Sequence, residues 1–159
     1  MITNIKIISG GQSGVDRAAL DFAFENQISC GGWCPKGRLA EDGRIHKRYP
    51  LRETDNTDYR IRTKANVQDS DGTLILYIDK LGNGTALTKQ IAKRLKKPCL
   101  VINLDKAFVE KIEKLHSWLT SNKVETLNIA GPRESSNPGI YSATLRFLEM
   151  SKPFRLKKT

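Results

Sequence analysis

The sequence predicts an α/β fold: a single doubly wound, mainly parallel sheet with helices on both faces, Rossmann-like in plan. Three observations predict it. Short apolar runs alternate with helical stretches from one end of the chain to the other. The runs are continuously apolar, as in Thr73-Leu74-Ile75-Leu76-Tyr77-Ile78, which marks strands covered on both faces. Glycine-rich segments stand where strands give way to helices, and in a parallel sheet all those turns lie along one edge.

Asn4 to Ile8 is the first strand and runs into Gly10-Gly11. A helix follows, with Val15, Ala18, Ala19, Phe22 and Ala23 on one face. A second strand is expected near Ile28 to Trp33. Residues 34–56 are polar and rich in Gly, Pro, Arg and Asp, too long for an ordinary connection and so a candidate functional loop. Thr57 to Gln68 reads as a helix with a weak stripe of Tyr59, Thr63 and Val67. The strand from Thr73 to Ile78 precedes a helix with Leu87, Ile91 and Leu95 in register. Pro98 to Leu104 is the next strand, and Phe108, Ile112, Leu115 and Leu119 mark the helix after it. Glu125 to Ala130 is the last strand, with Tyr141, Leu145 and Leu148 on a final helix. No repeat or low-complexity linker intervenes, so residues 1–159 read as one ligand-binding domain ending in a basic tail, 152–159.

The composition, 38% hydrophobic and 28% charged over 159 residues, is that of a globular domain with a sizeable core. No run is apolar enough to cross a bilayer, and the first residues are too mixed for a signal peptide, so a cytoplasmic location is expected. A net charge of +10 favours an anionic partner. The basic residues are dispersed, which argues for an anionic small molecule over nucleic acid. A homo-oligomer stays open. Cys30 and Cys99 read as buried thiols; Cys34, beside Pro35 and Lys36, reads as buried or as a partly exposed thiol of lowered pKa. His46 and His116 have no partner at ligand spacing, so no metal site is expected.

Four segments fall on the edge where open α/β sheets bind ligands. The first, Gly10, Gly11, Gln12, Ser13, Gly14, Asp16 and Arg17, combines glycines with a helix start whose free N–H groups suit an anion. Ser13 with Asp16 also matches a capping box, which needs no ligand. Arg17 is either a phosphate partner or a solvated residue of the first turn. In the second segment Trp33 could stack on a base or sit in the core, and Lys36 and Arg38 could meet phosphate or water. The third holds Gly82, Asn83, Gly84, Thr85 and Thr88, with Thr85 at a helix start. The fourth holds Gly131, Arg133, Glu134 and Ser135. Valine at Gly11 is expected to fill a phosphate position and abolish binding in a folded domain.

These segments, with Glu41-Asp42-Gly43, Tyr49-Pro50-Leu51, Arg62-Thr63, Asn66-Val67 and Asp69-Ser70-Asp71-Gly72-Thr73, resemble the putative molybdenum carrier family over roughly residues 5–150. That family is a circularly permuted branch of the SLOG superfamily and shares the fold of lysine-decarboxylase-like, cytokinin-activating enzymes. The resemblance implies binding of a nucleotide or of the molybdenum cofactor, whose pterin bears a phosphate. It implies first-loop roles for Gly10, Gly11, Gly14, Asp16 and Arg17, and phosphate-loop roles for Gly82, Gly84, Thr85 and Thr88. The hydrolytic relatives carry a glutamate three residues after the Gly-Thr of that loop; here the position is Thr88.

Two functions in different classes follow. One is a carrier or sensor of the molybdenum cofactor or another phosphorylated, nucleotide-like ligand. The other is a nucleotide N-glycosidase or phosphoribohydrolase using Asp16, Asp42 or Glu134 as substitute carboxylates. Thr88 favours the first. The sequence has neither the Walker pattern nor a Gly-x-Ser-x-Gly turn, and its first loop is not Gly-x-Gly-x-x-Gly, which sets aside the corresponding nucleotide, hydrolase and NAD sites.

Overall fold

The computed structural model describes residues 4–152, so the tail expected at 152–159 lies, after Lys152, outside the described residues. The chain opens with β1 (Lys6–Ile8), α1 (Val15–Glu25) and β2 (Cys30–Gly31). Four two-residue strands follow in the polar segment: β3 (Trp33–Cys34), β4 (Leu39–Ala40), β5 (Gly43–Arg44) and β6 (Arg52–Glu53). Then come α2 (Tyr59–Asp69), β7 (Gly72–Tyr77), α3 (Asn83–Arg94), β8 (Cys99–Asn103), α4 (Phe108–Ser121), β9 (Thr126–Ala130) and α5 (Ile140–Ser151).

The central sheet has five strands in the order β2-β1-β9-β7-β8, all parallel. Leu74 stands beside Ile129 and Leu100, and Ile7 beside Leu127 and Cys30. From β1 the chain steps outward to β2, and from β7 it steps the opposite way to β8. Right-handed crossovers therefore put α1 and α3 on opposite faces. α1 packs on α5, and α5 on α4, while α2 packs on α3. The core between these layers is built from Ile7, Phe22, Leu74, Leu76, Leu115, Leu119, Leu127, Ile129 and Phe147, all fully buried. Each such side chain contributes about 1.5–3 kcal/mol.

The strand expected over Ile28 to Trp33 is broken in two. Gly32 has φ +127°, and a Cβ there would lie 2.2 Å from Ser9 O. Only glycine lets the chain pass so close and turn away, whereupon β3 pairs with β6 instead of the main sheet. The long polar segment is thus structured. Ile45, Tyr49 and Leu51 form a second small core with Leu20 of α1 and with Cys34. Cys34 is fully buried there, and burial pushes its thiol up, so the exposed, lowered-pKa alternative does not hold.

Helix faces differ from the apolar stripes in the sequence. α3 buries Thr85, Thr88 and Ala92, while Leu87, Ile91 and Leu95 are half-buried. α2 buries Arg62, Asn66 and Val67 and leaves Tyr59 exposed. Both helices turn polar residues inward because the space between them and the strand ends is a cavity rather than core.

Candidate functional site

A cavity of about 570 Å³ opens at the carboxyl ends of β1, β9 and β7, where the strand order reverses. That crevice is where doubly wound sheets hold ligands, and its size suits a small molecule. Its walls are the turns expected from the sequence together with the start of α2 and the β4–β5 hairpin. From the first loop it takes Gly10, Gln12 and Asp16; from the α3 start, Gly82, Asn83, Gly84, Thr85 and Thr88; from the end of β9, Asn128, Gly131 and Arg133. Four of the residues that sequence reasoning passed over as site residues, Leu39, Glu41, Tyr59 and Arg62, complete it. Arg62 and Asn66 stand four apart on α2, so both project from one face. That spacing, and Asn128 inside an apolar strand, were signals in the sequence.

The α3 end of the cavity presents backbone donors without protein partners. Gly82 caps the helix without any side-chain bond, and Ala86 N is the first amide to find a helical acceptor, Gly82 O at 2.9 Å. Among the described residues, the N–H groups of Asn83, Gly84 and Thr85 donate to no protein acceptor. They and the helix dipole face the cavity. A Cβ added at Gly84 would meet nothing within 4 Å, so this backbone is open to a ligand. Arg133 is exposed on the wall and makes no hydrogen bond or ion pair through its guanidinium among the described residues. Thr88 Oγ1 donates to Gly84 O at 3.1 Å and so bonds within its own helix.

The start of α1 is closed by the protein itself. Val15 N donates to Pro132 O at 3.3 Å, Ser13 N to Gln12 Oε1 at 2.9 Å, and Glu134 N to Ser13 Oγ at 3.2 Å. The N-cap is Gly14, which has no side chain to cap with, and not Ser13, so the Ser13–Asp16 capping box does not form. The Glu41 carboxylate accepts from both the Ser13 and Ser135 hydroxyls and from Ser135 N at 3.1 Å. Those bonds hold its carboxyl below the ordinary range. Gln12 Oε1 also accepts Glu41 N at 2.8 Å, so the β4–β5 hairpin is clasped to the glycine loop and becomes a wall of the cavity.

Several expected site residues serve the scaffold instead. Arg38 is buried and donates to the carbonyls of Ile45, His46, Tyr49 and Leu51, so its guanidinium is fully engaged inside the polar segment. Lys36 is exposed and lies outside the cavity wall. Arg17 holds Gly11 O at 3.0 Å and Asp42 at 2.9 Å, which keeps the Asp42 carboxyl low and both groups occupied. Glu134 accepts Gly139 N and Tyr141 N, capping α5. Gly11 has φ +80°, and a Cβ there would strike Leu51 and Ile45 at 2.6 and 2.9 Å rather than a ligand. The Trp33 ring donates to Asp69 at 2.8 Å under the Arg52 guanidinium, away from the cavity.

Of the three carboxylates proposed for chemistry, Asp16 is the one in the cavity wall. It is 7% exposed, and desolvation pushes its pKa up to about 6 against the pull of Arg62. Among the described residues, no group of three or more His, Cys, Asp or Glu is placed to hold a metal ion. Nor is any helix long and apolar enough to cross a membrane.

Fold and cavity together define a doubly wound α/β protein with a crevice of largely polar residues at its switch point. The model of the circularly permutated YpsA SLOG family matches residues 7–151, and the chain belongs to that family. It is also similar to a solved structure from Syntrophus aciditrophicus SB, described as a "putative molybdenum carrier protein". The identity is 50%, the TM-score 0.92, and the match covers 94% of this chain and 96% of the other. No curated protein matches.

Proposed function

We propose that this protein binds a phosphate-bearing, nucleotide-like small molecule, with the phosphate at the start of α3 and Arg133 as its counter-charge. The observation that carries this is the set of unpaired amides at Asn83, Gly84 and Thr85 on the cavity wall, with open space beside Gly82 and Gly84. The molybdenum cofactor, whose pterin bears a phosphate, is one member of this ligand class. The name of the Syntrophus aciditrophicus relative supports its candidacy. The donor set fits such a phosphate: backbone N–H groups, the hydroxyl of the buried Thr85 and the exposed Arg133 guanidinium beside Glu41. The carrier reading is preferred to hydrolysis because Asp42 and Glu134 are tied into scaffold bonds and Thr88 stands where the hydrolytic relatives carry glutamate, which leaves Asp16 alone of the candidate carboxylates in the cavity.

Gly84→Asp tests it. The new side chain enters open space near a helix start, where aspartate is well tolerated, yet sets a negative charge on the anion seat. Titration calorimetry with purine nucleoside monophosphates is expected to show at least a tenfold loss of affinity with an unchanged thermal melt. Equal affinity in the variant would move the phosphate elsewhere. Catalytic release of free base from those nucleotides would replace the carrier by the hydrolase.

A further inference from the structure

Deep in the cavity, Asp16 and Arg62 stand side by side without forming an ion pair. Asp16 is 7% exposed and Arg62 8%. The Cβ that Gly10 lacks would lie 2.9 Å from Asp16 Oδ2 and 3.0 Å from Arg62 Nη1, so both groups flank one spot. Neither is saturated. An ionised carboxylate accepts about four hydrogen bonds. Asp16 accepts Gln12 N at a long 3.3 Å, and the Ser9 hydroxyl, close enough to steady the carboxylate, is shared with Ile129 O at 3.0 Å. Arg62 has five N–H donors; the bond it makes is to Gly10 O at 2.8 Å, through Nη1. An acceptor and a donor that stand adjacent in the cavity wall, each with bonding capacity to spare, suit a ligand edge of the opposite pattern.

We propose that Asp16 and Arg62 form a recognition subsite for the 2-amino-4-oxopyrimidine edge shared by guanine and pterin rings. That edge presents C=O, N–H and NH2 in a row. The two N–H donors match the two oxygens of one carboxylate, and the carbonyl matches the guanidinium. A planar ring also needs apolar walls, and the cavity supplies them at its mouth: Leu39 and Tyr59 line it while 50% and 49% exposed. A ribose diol would satisfy Asp16 but has no use for such walls. The proposal rests on the phosphate reading only for the other end of the ligand.

The test is calorimetry on the full chain with GMP, IMP, XMP and AMP, which share ribose and phosphate and differ at this edge. GMP is expected to bind best. IMP, lacking the amine, should bind about tenfold more weakly, and XMP, which turns a carbonyl toward the carboxylate, weaker still. 6-Hydroxymethylpterin phosphate, which has the edge but no ribose, should bind like GMP. Asp16→Asn should level the GMP–IMP difference. Equal affinity for all four nucleotides, with 2′-deoxy-GMP weaker, assigns Asp16 to the ribose and overturns the subsite. Failure of GMP to bind at millimolar concentration overturns it too. Guanosine binding as tightly as GMP overturns the phosphate reading alone, leaving the ring preference to be judged by the base series.

Discussion

Replacing Asp16 by asparagine is expected to stabilise the protein at neutral pH, although it removes a charge next to Arg62. Burial raises the folded-state pKa from the ordinary 3.8 to about 6, and the attraction of Arg62 is already contained in that net value. Above pH 6 the carboxylate is ionised in both folded and unfolded chains, and the folded state bears the net cost of the buried charge, about 3 kcal/mol. Between pH 4 and 6 the folded chain binds the proton that the unfolded chain has lost. The contribution of Asp16 to stability therefore grows as pH falls through about 6, and it is complete below about 4. Asparagine resembles the protonated acid and can still accept Gln12 N. Urea melts of both proteins from pH 4 to 8 should show the variant ahead by about 2–3 kcal/mol at pH 8, with the gap closing near pH 4. Taking the difference between the two proteins removes the opposite pH dependence of Glu41, Asp42, Asp58 and Asp105, whose pKa values are lowered. A variant less stable at pH 8, or a gap independent of pH, would refute the assignment of a desolvated charge.

Two further outcomes follow from the packing. Gly11→Val should cost about 3 kcal/mol or more in a chemical denaturation series, because a β-branched residue at φ +80° would drive into Leu51 and Ile45. Any loss of binding would then track the unfolded fraction. Glu41→Gln should keep the fold but weaken the bonds from the Ser13 and Ser135 hydroxyls, so amides of residues 39–44 should exchange about tenfold faster in hydrogen-exchange mass spectrometry. Unchanged protection there would mean that the hairpin is held by its own turn.

The parts of the fold legible in the sequence are those whose elements have two apolar faces or one strong stripe. β7, β8 and β9 are continuous Leu, Ile and Val runs, and the core assembles from them as the pattern requires. α2 was legible as a helix, but its inward face was not, because Arg62 and Asn66, which it buries with Val67, carry no hydrophobic period. The glycine loops located the cavity but not the role of each glycine. Gly84 faces open space while Gly11 faces core, and nothing local in the sequence separates the two. Arg38 illustrates the same limit for cations. Its four carbonyl partners come from residues 45–51, brought around it by the path of a loop with little periodicity to read.

The carboxylates bear most directly on what the cavity is for. Asp42 and Glu134 are satisfied by Arg17 and by the start of α5, and Glu41 is satisfied by the Ser13 and Ser135 hydroxyls that clasp the hairpin to the loops, so each holds the scaffold together. Asp16 does the reverse. It is buried, carries one long hydrogen bond from Gln12, and stands beside an arginine that bonds elsewhere. A hydrophobic or neutral residue would serve the fold better at that position. A charge that destabilises the free protein is accounted for when a ligand supplies the missing donors, and the ring edge read by Asp16 and Arg62 would do so. On that reasoning the variant that gains stability at pH 8 is also the one that loses discrimination among bases; a gain without that loss would keep the desolvated charge and remove the ring edge as its partner.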